Sequence, residues 1–205
     1  MSALMMAACS ADLEPPPTSP PPAGPFAGAV VSFSPGDSAG YGQGDMPEVV
    51  LGPPHGGGDT GGGLDVVSLG KGGEIVLELT DVTLIDGPGD DLLVFENAFS
   101  NWIETGLVAA SDDGKAWHPW PCKPTDKTAN YPGCAGVRPV FSHPNNTIAP
   151  TDPKHAGGDR FDLADIGLAK ARFVRIKDSG MNIYEGIGGG FDLDAIAVIN
   201  GDHSR

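Results

Sequence analysis

Positive charge is scarce in this chain: 12 lysines and arginines stand against 27 aspartates and glutamates, a net charge of -15 over 205 residues. Such a balance repels phosphate backbones and anionic membrane surfaces, which excludes nucleic acid and a bare lipid surface as partners held by bulk electrostatics. Also lacking are an apolar run long enough to span a bilayer, a long amphipathic helical pattern and the G-x-S-x-G elbow of a serine hydrolase. The five histidines, His55, His118, His143, His155 and His203, lie in or beside polar loops and form no nucleophile-and-base constellation. Cysteine occurs three times, and Cys122 and Cys134 have no histidine or further cysteine at zinc-ligand spacing.

Glycine (31) and proline (20) together make up about a quarter of the residues, near the level that signals disorder where hydrophobic periodicity is missing. Periodicity is present here, so the composition predicts an all-β domain of short strands joined by tight turns. The hydrophobic content of 40% and the length allow one domain with a full core.

The clearest strand is GGEIVLELTDVTLIDG, in which Ile75, Leu77 and Leu79 alternate with Glu74, Val76 and Glu78. LLVFE is apolar on both faces, as a central strand covered on each side would be. GAVVSFSPG, EVVL, DVVSL, KARFVRIKDSG and GGFDLDAIAVIN read as further strands. Asp113-Gly114 joins two strand-like runs as a hairpin turn. Asp162 is placed to cap a helical turn at LADIG. The stretch from Pro121 to Gly158 reads as one long loop, a length that inside a compact domain marks function or mobility.

Negative charge concentrates in DGPGDDLLVFEN, where Asp86, Asp90, Asp91 and Glu96 fall together with no lysine or arginine between them. Carboxylates this close raise one another's pKa or recruit a cation. Among oxygen ligands, with carbonyls exposed by the Gly-Pro-Gly turn, that cation is Ca²⁺. The segment is not an EF-hand loop, because Asp91 stands where the invariant glycine belongs. Asp192 and Asp194 enter the last strand in the same manner, and the two segments are expected to meet around one ion. Glu96 and Glu104 are the carboxylate pair a glycosidase would need, but both fall inside or at the ends of apparent strands, so no catalytic residue is assigned. Trp120 and Tyr131, in or beside the long loop, are the candidate glycan-stacking residues. Cys122 and Cys134 flank KPTDKTANYPG, and an exported protein would keep them as a disulfide, worth about 3 kcal/mol in the entropic account of loop closure.

At the N-terminus, LMMAAC resembles a bacterial lipobox, which makes Cys9 the expected lipid-attachment residue although most of a signal peptide's apolar region is missing before it. Residues 1–9 are then a truncated lipoprotein signal peptide, 10–25 a proline-rich tether and 26–202 the β domain.

VAASDDGKAW and ARFVRI are similar to pieces of the galactose-binding-like, discoidin-type β-sandwich superfamily. VVSLGKGGEIVLEL, DGPGDDLLVFEN, AGGDRFDLADIG and GFDLDAIAV resemble the recurrent pattern of a group of bacterial exported cell surface proteins, some lipid-anchored and some carrying a C-terminal sorting signal. The resemblance implies a calcium-stabilised jelly roll with long Gly/Pro-rich loops, displayed on the outer surface of the envelope, with no established catalytic role. It also implies that Asp194, or alternatively Asp192, helps hold a structural calcium. Anchoring through Cys9 would stand in for the sorting tail that GDHSR does not resemble. The expected partner is a glycan or another surface protein, met by a binding or adhesion module. A purely structural envelope protein and a glycan-active hydrolase are the alternatives.

Overall fold

The computed structural model describes residues 24–99, 102–182 and 186–204. Cys9 and the tether up to residue 23 lie outside them. The described residues form twelve strands and four short 3-10 turns, with no α-helix among them. In chain order the strands are β1 (Ala29–Ser34), β2 (Val67–Ser68), β3 (Glu74–Glu78), β4 (Thr83–Ile85), β5 (Leu92–Glu96) and β6 (Gly106–Ser111). There follow β7 (His118–Pro119), β8 (Asp159–Phe161), β9 (Lys170–Ala171), β10 (Phe173–Asp178), β11 (Asp192–Val198) and β12 (Gly201–Asp202).

They build three antiparallel sheets, ordered β1-β3-β10-β6-β7, β2-β11-β5-β8 and β12-β4-β9. The arrangement is the expected β-sandwich of jelly-roll type. Alternation decides which side chains meet between the sheets. Ile75 and Leu77 of β3, Val174 and Ile176 of β10, and Val108 and Ala110 of β6 face inward from the five-stranded sheet. They pack with Leu92 and Val94 of β5 and with Leu193, Ile196 and Val198 of β11. Arg175 and Lys177, the polar alternates of β10, stay at the surface.

Strand β5 is buried along its whole length, and the second layer over it comes from the long loop. Leu93, Phe95, Ala195 and Ala197 turn away from the sandwich interior and form a separate apolar cluster with Val140 and Ala156. Val140 is itself held by backbone bridges to Gly157 within the loop and to Gly58 of the glycine-rich segment before β2. The approach is close: a Cβ on Gly158, whose φ is +70°, would lie 2.6 Å from the Phe95 ring, a position open to glycine alone.

Two local expectations, for EVVL and for Trp120, turn out differently. EVVL is a 3-10 turn over Glu48–Val50, following Pro47 in right-handed backbone, and buries Val50 without pairing. The hairpin expected at Asp113-Gly114 forms: β6 and β7 pair antiparallel across a six-residue connection in which the Asp113 carboxylate accepts the amides of Lys115 and Ala116, each at 2.8 Å. Trp120 belongs to the core, 4% exposed, with its indole N–H donating to the Asp162 carbonyl at 2.8 Å and its ring 5.1 Å from that of Phe161. It therefore lacks the open face that stacking on a sugar requires. Asp162 caps the turn Leu163–Ile166 as expected, accepting the amide of Ala164.

Candidate metal centre

Strands β5 and β11 lie side by side and run in opposite directions, with Leu92 opposite Val198 and Glu96 opposite Leu193. The acidic turn before β5 is thereby brought to the end of β11, whereas Asp192 at its start is brought to Glu96. Four residues of extended chain, ~14 Å, separate the two places. The expectation that all six carboxylates gather around one ion is corrected by this register.

At the turn end, the carboxylate oxygens of Asp86, Asp91 and Asp162 approach within 4.8 Å of one another. Asp91, fully buried, is well supplied with donors. Its carboxylate accepts the amide of Gly87 at 2.9 Å, the amide of Leu163 at 2.8 Å and the side-chain amide of Asn200 at 2.8 Å. Asp162 is engaged as a cap, and Asp90 lies 3.9 Å from the Arg160 guanidinium. These aspartates tie the turn to β8 and to the end of β11 by hydrogen bonds.

Asp194 occupies a third place. The pairing with β5 slips between Leu193 and Ala195, so Asp194 is the extra residue of a bulge. Its carboxylate accepts the amide of His55 through both oxygens, at 3.1 and 2.9 Å, and so fastens the His55 loop to the last strand. His55 in turn pairs with Asp65. Burial, helped by Asp65, pushes the Asp194 pKa well above the usual carboxylate range.

The remaining place differs in kind. Glu96, Glu104 and Asp192 bring carboxylate oxygens within 4.8 Å of one another, and all three residues are buried. Glu104 is held firmly, accepting the Gly190 amide through Oε1 and the Trp102 indole N–H through Oε2, each at 3.0 Å. Asp192 Oδ2 accepts one weak bond from Asn97 Nδ2 at 3.4 Å. Both oxygens of Glu96, Oδ1 of Asp192 and Oδ1 of Asn97 are buried with no hydrogen-bond donor. With the carboxylates ionised all four of these atoms are acceptors, and they can satisfy one another only if a carboxyl keeps its proton.

Burial is the leading reason that the pKa of Glu96 is pushed well above its ordinary value, with the charges of Asp192 and Glu104 adding to it and the nearby backbone amide of Asp192 opposing it, as the Ser68 hydroxyl does for Asp192. The same burial raises Glu104 to about 8 and Asp192 to about 7. A hard divalent cation suits a buried, all-oxygen group with more acceptors than donors. Donor count is thus the criterion that separates this group from the one at Asp91. Sequence reading names Glu96 and Asp192 for this role but misses Asn97 and treats Glu104 only as a catalytic possibility. The N–H···O bond from Trp102, two residues before Glu104, leaves no signal in the spacing of acidic residues.

Cys122 and Cys134 are joined as a disulfide. The loop that they close carries Tyr131, half-buried, in a conformation considered below.

No protein-family model matches the chain, and no curated protein matches it. Among solved structures the chain is similar to the C-terminal domain of a chitobiase from Bacteroides fragilis, at 15% identity over 65% of each chain and with a TM-score of 0.31.

The raised carboxylates fix the sign of a pH effect. A carboxylate whose folded-state pKa lies above its unfolded value binds protons more tightly when folded, so the stability is present below the unfolded pKa and is lost as pH rises through the folded one. For metal-free protein in chelator, the urea midpoint is expected to fall between about pH 5 and pH 8, where Asp192, at about 7, and Glu104, at about 8, ionise. Equilibrium unfolding at a series of pH values measures it; a midpoint that rises with pH over this window would contradict the buried-carboxylate assignment.

Proposed function

We propose that this protein is a calcium-clamped β-sandwich module of the bacterial cell surface, anchored through a lipid on Cys9 and acting by binding a glycan or another surface component. The observation that carries the reading is the donorless acceptor group of Glu96, Asn97 and Asp192. Glu96, Asp192 and Asn97 Oδ1 would hold the ion, with Glu104 positioned beside them by Trp102 and Gly190. The cation supplies charge compensation at the point where the end of β5, the start of β11 and the Gly190 loop come together. Binding is preferred over hydrolysis because the carboxylates a glycosidase would use, Glu96 and Glu104, are 1% and 0% exposed. Substrate would have to reach them through packed protein.

Anchoring rests on LMMAAC and on the proline-rich segment after it, which lie outside the described residues. Cys9→Ser should move the protein from the detergent-extracted membrane fraction to the soluble one; unchanged membrane retention would remove the anchor from the proposal.

Melting with and without chelator tests the clamp. Calcium at about 100 times its dissociation constant adds roughly 2.7 kcal/mol, which for a domain of this size raises Tm by about 5–10 °C. Glu96→Gln should behave in two ways at once. It should be as stable as or more stable than the parent in chelator at pH 8, since the cost of burying an ionisable carboxyl is gone, and it should lose most of the calcium response. A Tm indifferent to EDTA, or a full calcium shift in Glu96→Gln, would dismiss the clamp.

A further inference from the structure

Basic residues are few, but their distribution is uneven. From Gly114 to Thr151 the chain carries Lys115, Lys123, Lys127 and Arg138 and only one acidic residue, Asp126. This reverses the sign of the rest of the protein. Two adjoining clefts lie between the disulfide loop of this stretch and the segment 159–165. The first, about 260 Å³, is lined by Tyr131, Arg138, Asp159 and Arg160 among others. The second, about 400 Å³, shares Pro132, Gly133 and Arg160 with it and adds Lys123 and Asp165.

The backbone of the loop is held in an unusual conformation. Asn130 and Tyr131 both have positive φ, 57° and 52°. Asparagine tolerates that region, whereas for a bulky side chain it is an outlier of the kind found at ligand clamps. The surroundings enforce it: the Tyr131 amide donates to the Asp126 carbonyl at 2.9 Å, the Lys123 amide to the Pro132 carbonyl at 3.0 Å, and the Cys122–Cys134 bond closes the loop. Behind the cleft, Asp159 accepts the Val137 amide at 2.9 Å and that of Arg138 at 3.5 Å, fixing the backbone from which the Arg138 side chain departs. The opposing charges are few. Asp159 is buried, Asp165 borders only the second cleft, and Asp90 stands 3.9 Å from Arg160.

Resting on the reading of the protein as a binding module, we propose that the cleft of Tyr131, Arg138 and Arg160 binds a carboxylate-bearing sugar, a uronate unit of an acidic polysaccharide. A guanidinium fork matches a carboxylate in shape and charge, and a rigidly held tyrosine gives the sugar ring an amphipathic face at little entropic cost. The first cleft has room for about one sugar unit, and the second continues it past Arg160, as a chain would run.

Calorimetric titration of the calcium-loaded protein with trigalacturonate, and with the neutral galactose trisaccharide as its uncharged counterpart, tests the assignment. Trigalacturonate should bind at least about tenfold more tightly than the neutral sugar, and the binding should weaken as salt rises to about 0.5 M. Arg138→Gln and Tyr131→Gly should each lose about tenfold or more in affinity with Tm unchanged, the glycine being at ease at positive φ. Equal binding of the two sugars, undiminished binding by Arg138→Gln, or preference for a sulfated neutral trisaccharide over the uronate would overturn the proposal. Failure of trigalacturonate to bind while calcium still raises Tm would overturn it too and leave the clamp standing.

Discussion

The structure turns on a conflict at the end of β5. That strand is buried from Leu92 to Glu96, between the sandwich interior on one face and the long loop on the other. Apolar side chains satisfy this burial for four residues, and then the fifth is a glutamate with neither oxygen hydrogen-bonded. A buried charge without partners costs several kcal/mol, so the group is either neutral, as its raised pKa in metal-free protein indicates, or balanced by a cation. Everything around it tightens the conflict. Asp192 arrives from β11, Glu104 is held in place by Trp102 and Gly190, and among the described residues no lysine or arginine forms an ion pair with the group.

Separation of labour among the acidic residues follows from the β5–β11 register. Asp91 gathers three N–H donors and works as a hub joining the turn, the capped segment after β8 and Asn200 in the turn between β11 and β12. Asp194 fastens the His55 loop. Only the Glu96 group is short of donors. The distinction comes from hydrogen-bond supply and not from the number of carboxylates, because both acidic groups contain three of them within the same span.

Much of the architecture was legible in the sequence because alternation is strong where one sheet face is buried and the other is wet. β3 and β10 are read directly from Ile75, Leu77, Val174 and Ile176, β5 from its doubly apolar run, and the cap from Asp162. The site was legible only in part. Asp192 and Glu96 are neighbours through an antiparallel pairing that no local pattern specifies, and the bulge that sends Asp194 elsewhere is one extra residue in a strand whose composition does not mark it. EVVL carries β propensity but packs as a turn because tertiary burial of Val50 decides. Trp120 looked like a loop aromatic, and its burial depends on Phe161 and Asp162, some forty residues away in sequence.

The acidic group at Glu96 and the cleft at the disulfide loop sit on opposite signs of charge, which suits the separate roles proposed for them, holding the fold and meeting a partner. Anomalous diffraction from crystals grown with calcium locates the ion directly. The account predicts one strong peak among Glu96, Asn97, Glu104 and Asp192; a peak at Asp86, Asp91 and Asp162 instead, or none at millimolar calcium, would contradict it.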